Sequence, residues 1–232
     1  MGRHCPVLSH LLFADDSLFF LRAEVENCRR AIKIIEDYCQ ASGQLVNRDK
    51  SCVVFTANVP EEWRRKIEGV IGVRRGSNTG TYLGIPLFWG KMRCEAMSYV
   101  KDKVLMKLKS WKQQTLSQGG KEVLIKAVAG AIPTYTMACF KIPKKVCREM
   151  NSAIAKFWWG QKEEEEKIHW KSWMKMTMTK SMGGMGFKDL KVFNTALLGK
   201  QAWRMISEPE ALWVKIIKGI YFHDKSVLDA KR

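Results

Sequence analysis

Hydrophobic and polar positions change texture twice along the chain. Residues 7–14 are mostly apolar, Asp15-Asp16 interrupts them, and residues 17–21 are apolar again. That pattern predicts two short strands joined by a tight turn with carboxylates at its tip. Val25, Cys28, Ile32, Ile35 and Cys39 then recur at spacings of three and four, predicting a helix that Gly43 stops. Residues 51–56, centred on Val53-Val54-Phe55, read as a strand. Pro60 opens a short helix carrying Trp63, Ile67, Val70 and Ile71, and Gly72 ends it. Residues 74–80 read as a polar turn, and residues 81–88 as a strand bent at Gly84 and Pro86.

Beyond residue 94 the period becomes helical throughout. Met97, Val100, Val104, Leu108 and Trp111 form one apolar stripe, with most lysines of that segment elsewhere. Gly119-Gly120 breaks the chain, residues 121–131 read as helix, and Pro133 kinks or restarts it. Pro143 introduces a helix through Val146, Met150, Ile154 and Phe157, ending at Trp158-Trp159-Gly160. The acidic run 163–166 reads as a solvated loop and Gly183-Gly184-Met185-Gly186 as a turn. Further helices are expected near 194–207 and 210–221, separated by Pro209. The fold class is therefore α+β, a short sheet with helices in front and all helix behind.

Composition narrows the class. The 232 residues are 46% hydrophobic and 27% charged, which excludes a chain disordered throughout. No run of 18 apolar residues is present, so no membrane partner is expected. Seven cysteines, at 5, 28, 39, 52, 94, 139 and 147, include no Cys-x-x-Cys and no zinc-ligand spacing. They read as reduced thiols in an intracellular compartment, serving as small hydrophobes.

The charge is lopsided. Residues 1–60 hold seven basic and seven acidic side chains, so the net +17 belongs entirely to residues 61–232. Residues 91–148 carry 13 basic and 3 acidic side chains, and all nine tryptophans lie beyond residue 60. A positive field of that size favours a polyanion, and nucleic acid is the commonest. In the apolar stripe that ends at Trp111, and in Phe157-Trp158-Trp159, the aromatic rings are expected to pack in the core rather than stack on bases.

The sharpest chemical feature is Asp15-Asp16. Adjacent strand residues point to opposite faces, so only a turn lets both carboxylates approach one site. Hard oxygen donors there suit Mg²⁺, which keeps waters and substrate phosphates in its shell. Such a site serves two-metal phosphoryl transfer.

The order of motifs carries a resemblance. Phe13-Ala14-Asp15-Asp16 resembles the Phe-Ala-Asp-Asp box of non-LTR (LINE-type) retrotransposon reverse transcriptases, in the plant style. Gly43-Gln44-Leu45-Val46-Asn47-Arg48-Asp49-Lys50-Ser51 and Tyr82-Leu83-Gly84-Ile85-Pro86-Leu87 are similar to later boxes of that family, the second to its primer-grip hairpin. Leu116-Ser117-Gln118-Gly119-Gly120-Lys121, Ala131-Ile132-Pro133-Thr134-Tyr135, Phe157-Trp158-Trp159-Gly160, Gly183-Gly184-Met185-Gly186-Phe187 and Ala202-Trp203-Arg204 extend the likeness over about residues 4–222. Group II intron maturases share the acidic hairpin, but the Leu-Ser-x-Gly-Gly-Lys and Phe-Trp-Trp-Gly boxes point to LINE elements.

The resemblance implies a partial polymerase palm, a short antiparallel sheet with helices, over residues 1–90. It also implies a basic helical thumb over 91–160 and a helical connection over 161–232. Asp15 would be the direct metal ligand and Asp16 its neighbour, with Mg²⁺ as the ion and no small-molecule cofactor. Lys50 would protonate the leaving pyrophosphate, and Tyr82, Leu83 and Gly84 would support the primer end. Lys121, Lys126, Lys141, Lys144 and Lys145 would hold an RNA–DNA template–primer duplex through its phosphates. The family implies a nuclear location.

Only 14 residues precede Asp15, so the strand bearing a third aspartate and the fingers are expected to be missing. The expectation is a truncated palm-and-thumb piece, begun at an internal methionine and inactive alone. A stand-alone basic binding module and a non-functional retroelement remnant are the alternatives.

Overall fold

Glycine ends the first two helices where the pattern expects it. Both Gly43 (φ 72°) and Gly72 (φ 71°) adopt the left-handed conformation, and each backbone N–H closes the last turn onto Cys39 or Glu68. The computed structural model describes residues 5–76, 81–86, 97–112, 116–160 and 167–222. The chain divides into two compact units, Pro6–Phe88 and Trp89–Arg232, the latter with Met1–Cys5.

The first unit is α+β. Strands β1 (His10–Phe13) and β2 (Asp16–Phe19) form an antiparallel hairpin. Helix α1 (Val25–Ser42) packs on α2 (Glu61–Ile71). Strand β3 is only Cys52–Val53, and it pairs in parallel with β4 (Arg74–Arg75), part of the stretch expected to be a turn. The reason is distant in sequence. Arg75 reaches back to Glu61 (2.8 Å) and Glu68 on α2, and those ion pairs hold the segment extended beside β3. Strands β5 (Thr81–Tyr82) and β6 (Ile85–Pro86) form a second hairpin rather than one bent strand. Among the described residues the strands thus make three separate two-stranded ladders, one of them parallel. Cys28 and Ile67 are the fully buried apolar residues of this unit among those described, while Leu12, Phe13 and Ile34 are all more than 60% exposed.

The second unit is helical. Helix α3 (Ser98–Lys112) presents Val100, Val104 and Leu108 to α6 (Lys144–Trp158), which answers with Val146, Met150, Ile154 and Phe157. The expected stripe is therefore the core, and Trp111 meets Phe157 at 5.8 Å between ring centroids. Phe157 and Trp158 are buried, so these aromatics pack rather than offer faces to bases.

Helix α4 (Gln118–Leu124) starts where Ser117 Oγ accepts the Gly120 N–H. It widens into a π-type turn over Ile125–Ala129 before Gly130, and α5 (Thr134–Cys139) restarts after Pro133. A short α7 (Trp173–Thr177), unanticipated, precedes α8 (Leu190–Ser207) and α9 (Leu212–Tyr221). Helix α8 begins four residues before the expected start, because Asp189 caps it by accepting the Lys191 and Val192 N–H groups. The acidic run 163–166 lies outside the described residues.

Asn194, on α8, is almost fully buried. Its amide donates to Met137 O (2.7 Å) and Phe140 O (2.9 Å), and its carbonyl oxygen accepts from Ile142 N (2.9 Å). One side chain thus satisfies three backbone groups at the α5–α6 junction.

Candidate functional site

The acidic hairpin closes through a two-residue loop, Ala14-Asp15, with Phe13 opposite Asp16. Asp15 occupies the tip. Asp16 is already the first residue of β2, so the two carboxylates do not share the turn as expected. The register puts Asp16 on the same ladder face as Phe13 and the half-buried pair Leu11 and Leu18. Ala14 has φ 48°, a left-handed value unusual for a residue with a Cβ. The tight return that lifts Asp15 into solvent therefore costs backbone strain. Both carboxylates are exposed, and neither makes a hydrogen bond or ion pair among the described residues. Among those residues no three of His, Cys, Asp and Glu gather at metal-holding distance. The donor set at the hairpin thus suits one Mg²⁺ completed by water and phosphate; two adjacent carboxylates do not fit two ions.

Lys50 lies in an exposed turn organised by Asn47, whose Oδ1 accepts the Lys50 N–H (3.1 Å) and whose carbonyl accepts the Ser51 hydroxyl (2.8 Å). The asparagine of that motif therefore shapes the turn. No hydrogen bond or ion pair joins Lys50 to Asp15 or Asp16. Leu83 and Gly84 form the two-residue loop of β5–β6, with φ 51° and 75°. Positive φ at both positions is the requirement of a type I′ hairpin turn, which Gly84 meets freely and Leu83 under strain. Tyr82 and Leu83 are half-buried and Gly84 is exposed.

The five candidate lysines separate into two groups. Lys126 is spent inside the second unit: its ammonium pairs with Glu122 (2.7 Å) and stands over the Phe187 ring (5.9 Å). Glu122 also binds Lys180 (3.0 Å), so it ties α4 to the single turn Lys180–Met182. Half-buried Lys121 lies against the end of α6, its ammonium 3.3 Å from where a Cβ on Gly160 would sit. Lys141, Lys144 and Lys145 are exposed and form no ion pair among the described residues.

Lys144 and Lys145 occupy the first turn of α6, where the backbone N–H groups already carry positive partial charge. Pro143 supplies no side-chain cap there, and no acidic residue sits in that turn. Lys141 and exposed Arg148 add to the same end. As a free helix terminus this arrangement is unfavourable; opposite a phosphate every element of it becomes attractive.

The hydrogen bond from Lys126, then that from Lys180, hold the Glu122 carboxyl below its ordinary value of 4.5. A lowered carboxyl contributes stability that is complete above 4.5 and is lost as pH falls through the lowered value. Thermal unfolding of the wild type is expected to fall off more steeply below pH 4.5 than that of Glu122→Gln. Parallel curves would remove Glu122 from that role.

No family model matches the chain. An "Uncharacterized mitochondrial protein" of Arabidopsis thaliana is 40% identical over 100 residues, which are 43% of this chain and 65% of that protein. A "Putative ribonuclease H protein" of the same plant is 26% identical over 147 residues, 63% of this chain and 24% of that protein. The chain thus spans just under two thirds of the first relative and about a quarter of the second.

Proposed function

We propose that the chain is a segment of a retroelement reverse transcriptase. In this reading the first unit carries the acidic hairpin of the palm, and the basic end of the second unit grips a template–primer duplex by its phosphates. The observation that carries it is where the matching boxes fall. The Phe-Ala-Asp-Asp and Tyr-Leu-Gly boxes are both two-residue hairpins with strained left-handed turns. The Leu-Ser-x-Gly-Gly-Lys box is a helix cap, and the Phe-Trp-Trp-Gly box is the end of the core helix α6. Motifs in family order that also fall on definite turns, caps and helix ends support this reading more strongly than spelling alone.

Asp15 would hold Mg²⁺, which supplies charge neutralisation for a bound phosphate. In-line phosphoryl transfer needs more than the two carboxylates of this hairpin. The polypeptide alone is therefore expected to bind an RNA–DNA hybrid, and neither to extend a primer nor to cut the RNA strand in Mg²⁺. Template-dependent synthesis would overturn the inactivity, and hybrid cleavage lost in Asp15→Asn would favour a nuclease instead.

A stand-alone binding module is the second reading, favoured by the exposed lysines Lys141, Lys144 and Lys145, which form no ion pair among the described residues. Mg²⁺ titrations separate the two. A Mg²⁺-dependent gain in hybrid affinity that Asp15→Asn abolishes supports the polymerase segment; binding indifferent to both supports the module.

A further inference from the structure

Residues 167–188 contain five lysines and no acid. This segment is pinned to the second unit at three points. His169 lies flat on Trp159 (6.0 Å, 23°), Phe187, with Trp173 stacked on it (5.5 Å, 18°), meets Trp158 edge-on (5.2 Å), and Lys180 pairs with Glu122 (3.0 Å). Its two arms are joined by the Met185 and Gly186 N–H groups, which donate to Met176 O (3.0 Å) and Met178 O (2.8 Å). Gly184 passes so close beneath Met178 that an added Cβ would fall 2.0 Å from its carbonyl oxygen.

Trp170 lies between the first two pins and is 78% exposed. Its neighbours are held on both sides, His169 by its stack on Trp159 and Lys171 by the hydrogen bond its ammonium donates to Gly183 O (3.0 Å), so the backbone at Trp170 is fixed. An indole held in water is costly unless something covers it. Exposed Lys167, Lys171 and Lys175 surround it in sequence, and no carboxylate of the segment competes for them. A flat aromatic face among exposed lysines is the chemistry that takes an unpaired base with its phosphates.

We propose that Trp170 is a stacking platform for single-stranded nucleic acid, next to the duplex grip on which this inference rests. His169 stacks at the C-terminal end of α6, whereas Lys144 and Lys145 stand at its N-terminal end. Fifteen residues of helix separate these ends by about 20 Å. At ~3.4 Å per stacked nucleotide that is a reach of roughly six nucleotides. A strand leaving the gripped duplex meets Trp170 after that distance.

The test measures binding of the full chain to blunt RNA–DNA duplexes, to the same duplexes with 2- or 10-nucleotide single-stranded overhangs, and to a free 12-nucleotide strand. The long overhang is expected to tighten binding about tenfold over blunt duplex, and the short one hardly at all. Trp170→Ala should erase that gain and weaken the free strand while leaving blunt-duplex affinity intact, and Trp170→Phe should keep much of the gain. Equal affinity for blunt and long-overhang duplexes, or a gain untouched by Trp170→Ala, overturns the platform. So does Trp170-dependent binding of phosphatidylserine vesicles or a polyglutamate peptide without preference for the strand. If duplex binding itself is absent, the grip fails separately, and the free strand still decides for or against Trp170.

Discussion

Replacing Asn194 by alanine is expected to cost about 3–5 kcal/mol of stability, the largest loss from any single polar side chain described. Three backbone groups depend on it, Met137 O, Phe140 O and Ile142 N, at 2.7–2.9 Å. They lie where α5 ends and α6 has not yet begun, so no helical partner replaces it. Each buried group left unpaired costs roughly 1–3 kcal/mol, partly relieved if water enters the hole. Against a total of about 5–15 kcal/mol, that brings the unit close to unfolding. Asn194→Asp is expected to be no better. It keeps an acceptor for Ile142 but turns a carboxylate on two carbonyl oxygens. Urea unfolding followed by tryptophan fluorescence measures both variants. A midpoint within error of the wild type would mean that water or a shifted backbone serves these groups equally well.

The second expected result has two opposite signs. Changing Lys141, Lys144 and Lys145 together to glutamine should weaken hybrid binding roughly hundredfold near 0.1 M salt, because three phosphate contacts and their counterion release are lost. The same variant should be more stable than the wild type. Lys144 and Lys145 sit at the positive end of the α6 dipole with no acidic residue in that first turn, each opposing it by about 0.3–1 kcal/mol, an effect that Glu149 one turn on offsets in part for Lys145. On the proposed reading these charges serve an external anion. Weaker binding with unchanged or lower stability would point to a damaged helix rather than a lost grip. A hundredfold effect from Lys126→Gln instead would contradict its assignment to the Glu122 ion pair.

Local chemistry explains which elements the sequence revealed. The glycine stops of α1 and α2, the Pro60 and Pro143 starts and the apolar stripe from Met97 to Leu108 depend on neighbours a few residues away, and they stand as read. The errors lie where partners come from far along the chain. Arg74–Arg75 is a strand because Arg75 finds two glutamates on α2, Glu61 and Glu68. Asn194 serves backbone groups 52 to 57 residues away, which no local pattern contains. The start of α8 was legible in principle, since Asp189 before an apolar run is a cap signature.

At the candidate site the sequence marked the residues, and the structure divides them. The Asp15-Asp16 pair separates into a loop tip and a strand start, a distinction of one residue of register that composition does not contain. Of the lysines, position on the helix decides the role. Lys144 and Lys145 stand at a terminus without an ion pair among the described residues, whereas Lys126 is paired with Glu122 beside an aromatic ring. Trp170 escaped notice because nine tryptophans read alike until burial tells the packed from the displayed.

The most direct test of the duplex grip is a salt titration of the wild-type chain on a blunt RNA–DNA hybrid, from about 50 to 200 mM monovalent salt. With at least the three free lysines on phosphates, log affinity should fall against log salt with a slope of about −3 or steeper. Binding that is absent at low salt, or a slope near zero, would contradict a phosphate grip and with it the reading of this chain as part of a polymerase that holds its duplex.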